Sequence, residues 1–153
     1  PVPLAHEKGI FDRALKYLLN LRLGAPVRRY NWTMTIDPLL DTAPETYPIW
    51  GPTRATLEKG NVGERMNLRV EVQALFRLPR SNAIAFSIRC YLVRFEDLVT
   101  VPKWGRRLHR VIKELHPDLA AYKGFLRNRP LMVEYLAQFD DGAPTSPGCW
   151  PDE

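Results

Sequence analysis

Between Asn67 and Tyr91 the sequence NLRVEVQALFRLPRSNAIAFSIRCY sets groups that can grip and orient a ligand at alternate positions. Asn67, Arg69, Glu71, Gln73 and Arg77 alternate with Leu68, Val70, Val72, Ala74 and Phe76. Further along, Ser87, Arg89 and Tyr91 alternate with Ile84, Phe86, Ile88 and Cys90. A guanidinium matches a carboxylate with two parallel hydrogen bonds. Arg69, Arg77 and Arg89 on one sheet face would therefore suit a ligand with two carboxylates, with Glu71, Gln73 and Tyr91 beside it. The same residues also make an ordinary solvated face, with Arg69 or Arg89 paired to Glu71 across strands. Pattern alone favours the solvated face, because antiparallel sheets often keep one side in water.

Alternation of this kind requires strands, since strand side chains point to opposite faces in turn. Two strands joined by a short proline-containing turn are predicted, with their apolar residues sharing one face and their polar residues the other. A third strand is predicted at Arg28–Ile36, where Tyr30, Trp32, Met34 and Ile36 share a face. Before it, Ile10, Phe11, Ala14, Leu15, Leu18 and Leu19 recur at helical spacing and predict an amphipathic helix with an apolar stripe, ended by Gly24 and Pro26. From Leu39 to Met66 the prolines and glycines predict a long loop, whose Tyr47 and Trp50 would cover a ligand or, the favoured reading, pin the loop to the body. A second long helix is predicted around Leu108, Val111, Ile112 and Leu115, a further turn over 118–122, and a last helix from Pro130. Residues 141–153 read as a Pro/Gly-rich tail after a domain over 1–140. The element order predicts an α+β fold, an antiparallel sheet with flanking helices.

The chain has 153 residues, a formal charge of +5, and 45% hydrophobic and 25% charged residues, which suits one globular domain. Two cysteines exclude a disulfide framework and a cysteine-rich metal site. No apolar run is long enough for a membrane span and no signal peptide is visible. No membrane role is expected, and a cytoplasmic location is. No nucleic-acid role is expected either: the arginines do not interleave with aromatic residues as a stacking platform requires. There is no phosphate-binding loop, dinucleotide fingerprint or nucleophile elbow. His6, His109 and His116 have no spacing that makes a zinc site.

The stretch LRVEVQALFRLPRSNAIAFSIRCY resembles the signature of the heme-dependent oxidative N-demethylase family, close to L-R-x-E-R-Q-T-L-x-R-L-P-x-[ST]-x-A-I-x-F-x-I-R-T-Y. Three flanking patterns agree in order: the opening Pro-Val-Pro, Arg29-Tyr30-Asn31-Trp32 for R-x-N-W, and Tyr122-Lys123-Gly124 for Y-K-G. The resemblance implies a PAS-like heme domain that oxidises the N-methyl group of a small amine with dioxygen and two electrons, yielding formaldehyde. It implies heme b, a possible reductase and a small-molecule substrate. Where the family pattern has arginine and threonine, this chain has Val72 and Ala74, and Cys90 replaces a second threonine.

On that resemblance Arg69, Arg77 and Arg89 would bind propionates. Glu71, Gln73 and Tyr91 would line the pocket, and Trp32 and Asn31 would close the sheet beside it. The family's ligand histidine lies just before Pro-Val-Pro, so His6 is the nearby substitute for the iron. The chain starts at Pro1 without an initiator methionine, inside what reads as an ordered motif. It is therefore expected to be the C-terminal half of the heme domain, a cleaved or partial product completed by an N-terminal fragment or a second polypeptide. The function expected is a heme-dependent oxidoreductase of monooxygenase or peroxygenase type. The alternatives are a non-catalytic heme- or small-ligand-binding sensor or partner subunit, and an interaction domain with a merely solvated sheet.

Overall fold

The computed structural model describes residue 3 and residues 5–141; the tail expected at 141–153 lies outside them after Asp141. Helix α1 (Ile10–Leu19) forms where the apolar residues recur at three- and four-residue spacing. It ends at Asn20, whose side-chain amide donates to the Lys16 carbonyl (2.7 Å). Strands β1 (Val27–Ile36), β2 (Met66–Arg77) and β3 (Ile84–Arg94) make one antiparallel sheet in the order β1-β2-β3. The expected long loop is instead a chain of short helical turns: Pro44–Thr46, Tyr47–Trp50, Gly51–Ala55, Lys59–Asn61 and Val62–Arg65. The first three each carry a proline in the first turn, where its fixed φ is already helical and its missing N–H costs nothing. After β3 come a turn at Phe95–Leu98, α2 (Trp104–Glu114), α3 (Pro117–Tyr122), a turn at Leu126–Asn128 and α4 (Arg129–Ala137). The fold is α+β, as the element order predicts, and is compatible with a PAS-like arrangement.

The register of the sheet decides which side chains meet. The Asp37 N–H donates to the Arg65 carbonyl (2.8 Å), and the Asn31 amide reaches Glu71 (3.2 Å). Both bonds fit a β1–β2 pairing with Asn31 opposite Glu71 and Arg29 opposite Gln73. The turn Pro79–Asn82 is closed by Leu78 N–H to Ala83 O (2.8 Å) and Asn82 N–H to Leu78 O (3.0 Å), with Asn82 left-handed at φ 58°. Leu78 and Ala83 thus oppose each other, and counting back sets Gln73 against Ile88, Glu71 against Cys90 and Val72 against Arg89. This corrects the expectation that the polar residues of both strands share a face. Asn31, Glu71 and Gln73 lie with Phe86, Ile88 and Cys90, whereas Arg89 and Tyr91 lie with Val70, Val72 and Ala74. Alternation fixes each strand's two faces, but the length of the connecting turn fixes which faces match.

Among the described residues, those from 3 to 32 and from 70 to 91 form one compact unit, and those from 33 to 69 and from 92 to 141 another. The second unit has a dense core. Met34, Ile36, Val62, Met66, Phe95, Leu98, Leu108, Ile112, Phe125, Met132 and Leu136 are all buried. In α2 the expected Leu108 and Ile112 are inside, but Val111 is exposed and His109 is buried in its place. The first unit has almost no core: its buried residues are Ala5, Leu21 and Gln73. No residue of α1 is buried, and Leu15 and Leu19 are 58% and 70% exposed, since none of the described residues of its unit covers the stripe.

Candidate functional site

The first unit concentrates its polar chemistry on the central strand. Glu71 Oε2 accepts from two amides, Asn31 Nδ2 (3.2 Å) and Gln73 Nε2 (2.8 Å). A carboxylate accepts only, so Gln73 must turn its NH2 toward Glu71 and its carbonyl oxygen away. That oxygen, Oε1, is buried without a hydrogen-bond partner, in a side chain only 5% exposed. A buried acceptor left unpaired costs about 1–3 kcal/mol, and such exceptions in folded proteins call for a specific cause. What this oxygen lacks is a donor, an N–H or O–H. On the same face Phe86 and Ile88 stand about half exposed and offer apolar area.

The three arginines expected together are separated. Arg77 Nε donates to Leu21 O (2.6 Å), Nη2 to Leu18 O (3.0 Å) and Leu19 O (3.2 Å), and Nη1 to Asn82 O (2.8 Å) and Oδ1 (3.1 Å). A guanidinium has five N–H groups, so each has an acceptor, and Arg77 serves as the C-terminal cap of α1. Arg69 is buried in the second unit, where Nη1 donates to the carbonyls of Leu40 (2.7 Å) and Leu39 (3.3 Å) and ties down the segment after β1. Arg89 is exposed and lies over the Tyr91 ring at 5.2 Å, on the sheet face opposite Glu71 and Gln73. Trp32 is half-buried at the end of the first unit's part of β1. His6 is exposed, its ring tilted against Phe11 at 4.9 Å. No group of three or more metal-ligating side chains gathers among the described residues.

Arg29 stands in the R-x-N-W pattern but has no assigned role in the sequence. The register sets it opposite Gln73, on the face of the polar cluster; it is exposed and, among the described residues, makes no ion pair or hydrogen bond through its side chain. The signal was present, since Arg29 stands two residues before Asn31 and so on the same strand face. In the second unit, Gly124 of the Tyr122-Lys123-Gly124 pattern is left-handed at φ 77°, and an added Cβ would stand 2.5 Å from Arg54 Nη2. The left-handed backbone favours glycine there, and an added Cβ would displace the Arg54 guanidinium.

No described helix is long and apolar enough to cross a membrane. Residues 1–133 match the protein family described as haem-dependent oxidative N-demethylase, alpha subunit-like.

Proposed function

The chain belongs to the haem-dependent oxidative N-demethylase α-subunit-like family, and we propose that it forms one wall of a heme pocket that oxidises a small N-methylated amine. Membership implies heme, oxidoreductase chemistry and a multi-subunit assembly. The observation that carries the finer reading is the buried, unpaired Oε1 of Gln73 beside the Glu71 carboxylate. An ammonium group would supply the N–H donor that this oxygen lacks, in a charge-assisted hydrogen bond.

The residues present fit the group. A porphyrin is an apolar plate with two carboxylates, and the cluster's face offers half-exposed Phe86 and Ile88 with the uncommitted Arg29. Arg29 would take a propionate there, and Arg89 would do so for a plate on the other face. Arg77, with every N–H engaged, would stay a cap, and Arg69 a loop anchor. Asn31 and Gln73 would hold Glu71 in place, and Trp32 would close the sheet beside them. Tyr91 would serve the reaction only from the Arg89 face. His6 is the one histidine of this unit and would be the residue it offers to hold the iron. Heme b, when bound, supplies dioxygen chemistry and the two-electron redox step that side chains lack.

A completing polypeptide, the N-terminal fragment or a second chain, would cover the apolar surface of α1 and the sheet, with a reductase as electron source. The substitutions Val72 and Ala74 motivate the alternative of a non-catalytic sensor. Both fall on the face away from Glu71 and Gln73, which supports retained chemistry over the sensor. The test uses the chain purified with whatever polypeptide accompanies it, with heme added. A Soret band is expected, weakened in R29Q and retained in R89Q. Reduction under dioxygen with small N-methylamines should then release formaldehyde. No Soret band in the complete assembly sinks the heme pocket, and heme binding without any oxidised product favours the sensor.

A further inference from the structure

Outside the polar cluster, the second unit holds a guanidinium that is fixed in place but has no anion. Arg54 lies with its Cζ 4.7 Å from the Trp50 ring centroid and 5.9 Å from that of Tyr47. Its guanidinium passes directly over Gly124, the close approach that bars a Cβ there. From behind, Asn128, itself buried, donates through Nδ2 to the Arg54 carbonyl (3.1 Å). The side chain is half-buried, yet among the described residues no carboxylate comes within ion-pair distance of it and no hydrogen bond engages its five N–H groups.

Two hollows meet at this side chain. One, of about 180 Å³, is lined by Thr33, Thr35, Thr42, Trp50 and Thr53 among others. The other, of about 460 Å³, is lined by Tyr47, Pro48, Pro52, Gly124 and Arg127 among others. Arg54 lines both, and neither lining includes an acidic residue. Arg127 adds a second exposed guanidinium to the larger hollow, likewise without an ion pair or side-chain hydrogen bond among the described residues. Stacking on an aromatic ring orients a guanidinium without consuming its edge donors, which are the part that recognises an oxyanion. The larger hollow falls within the size range of small-ligand sites, with apolar walls and a few convergent polar groups.

We propose that Arg54 and Arg127 form a binding site for a small organic oxyanion, a carboxylate or phosphate carried on a compact apolar body that lies against Tyr47, Pro48 and Pro52. This proposal is independent of the heme reading, because every residue in it belongs to the second unit.

The test uses the full chain, with Trp50 fluorescence as the reporter and a W50F variant to assign the signal. Benzoate, phenyl phosphate and inorganic phosphate are titrated, with benzamide as the neutral match for benzoate. Benzoate or phenyl phosphate should give a saturable change that weakens at higher ionic strength. Which of the two binds more tightly distinguishes carboxylate from phosphate, and weaker binding of inorganic phosphate marks the apolar body as part of recognition. R54Q should weaken binding at least tenfold and R127Q severalfold, while R89Q leaves it unchanged. R127Q alters an exposed side chain, so with benzamide it decides the matter even if R54Q fails to fold. Equal binding of benzoate and benzamide, no saturable binding of any probe, or affinity unchanged in R127Q overturns the proposal.

Discussion

At the residue scale, Arg77 and Asp140 show how far a charged group's work depends on its partners. Arg77 has the look of a ligand-binding arginine in sequence, yet it ties three carbonyls at the end of α1 to the β2–β3 turn. Each such bond nets roughly 0.5–1.5 kcal/mol, and they share one side chain, so R77A should destabilise the chain by about 2–4 kcal/mol. Urea unfolding measures this, and a loss under about 0.5 kcal/mol would contradict the capping role. R77K, which keeps the charge but not the five-donor fork, should recover only part of the loss. In the second unit, His109 is buried with Nδ1 2.9 Å from Asp140 Oδ1. The hydrogen bond from His109 holds the Asp140 carboxyl below the ordinary aspartate range, helped by the charges of His109, Arg106 and Lys113 and opposed by desolvation. A carboxyl whose pKa is lowered by folding adds stability that is complete above the ordinary aspartate range and lost as pH falls below it. D140N should therefore flatten the acid limb of a melting-temperature profile while leaving a smaller change in its shape near neutrality. An acid limb as steep as in the unchanged chain would show that Asp140 carries none of it.

At the element scale, the sequence gives away periods but not partners. The strands at Asn67–Arg77 and Ile84–Tyr91 and the helices around Leu108 and Met132 were legible because alternation and helical spacing are local. The matching of faces between β2 and β3 was not legible, because it turns on the Pro79–Asn82 turn and the left-handed Asn82 that closes it. The string of turns between β1 and β2 escaped for a related reason: segments of three to five residues are too short to show a period. The stripe on α1 is legible as apolar from its spacing, but spacing does not say what covers it, and among the described residues of its unit nothing does. β3 poses the same problem at the sheet's end, as an eleven-residue edge strand with Phe86 and Ile88 half exposed. Natural sheets usually blunt such edges or cover them. If α1 meets the completing polypeptide, L15E with L19E should change the chain's own stability by less than about 0.5 kcal/mol per site, as exposed substitutions do. The same pair should sharply reduce binding of an apolar fluorescent dye and heme uptake by the assembly. Dye and heme binding at unchanged levels would mean that the stripe is simply an exposed face.

At the scale of the whole molecule, the decisive contrast is between a unit that has a core and one that has not. The second unit buries Phe95, Ile112, Met132 and Leu136 completely or nearly so, and its elements can hold each other without help. The first unit sets its exposed Ile10, Phe11, Leu15, Leu19, Tyr30, Phe86 and Ile88 against buried Ala5 and Leu21. Burial of apolar area is the main favourable term in folding, at about 25 cal/mol per Å², so local opening in the first unit should be cheap. Amide hydrogen exchange of the chain alone should show the strongest protection in α2 and α4 and weak protection in α1 and the 84–91 part of β3. Adding heme together with the accompanying polypeptide should slow exchange in α1 and 84–91 far more than in α2 and α4, because it supplies the missing apolar contact where the deficit lies. The buried polar cluster belongs to the same account: an unpaired Gln73 oxygen and an uncovered helix stripe are deficits of one unit, the first calling for a hydrogen-bond donor and the second for an apolar cover. Equal protection in the two units before anything is added would mean that the first unit is already complete, and would remove the physical reason for a partner.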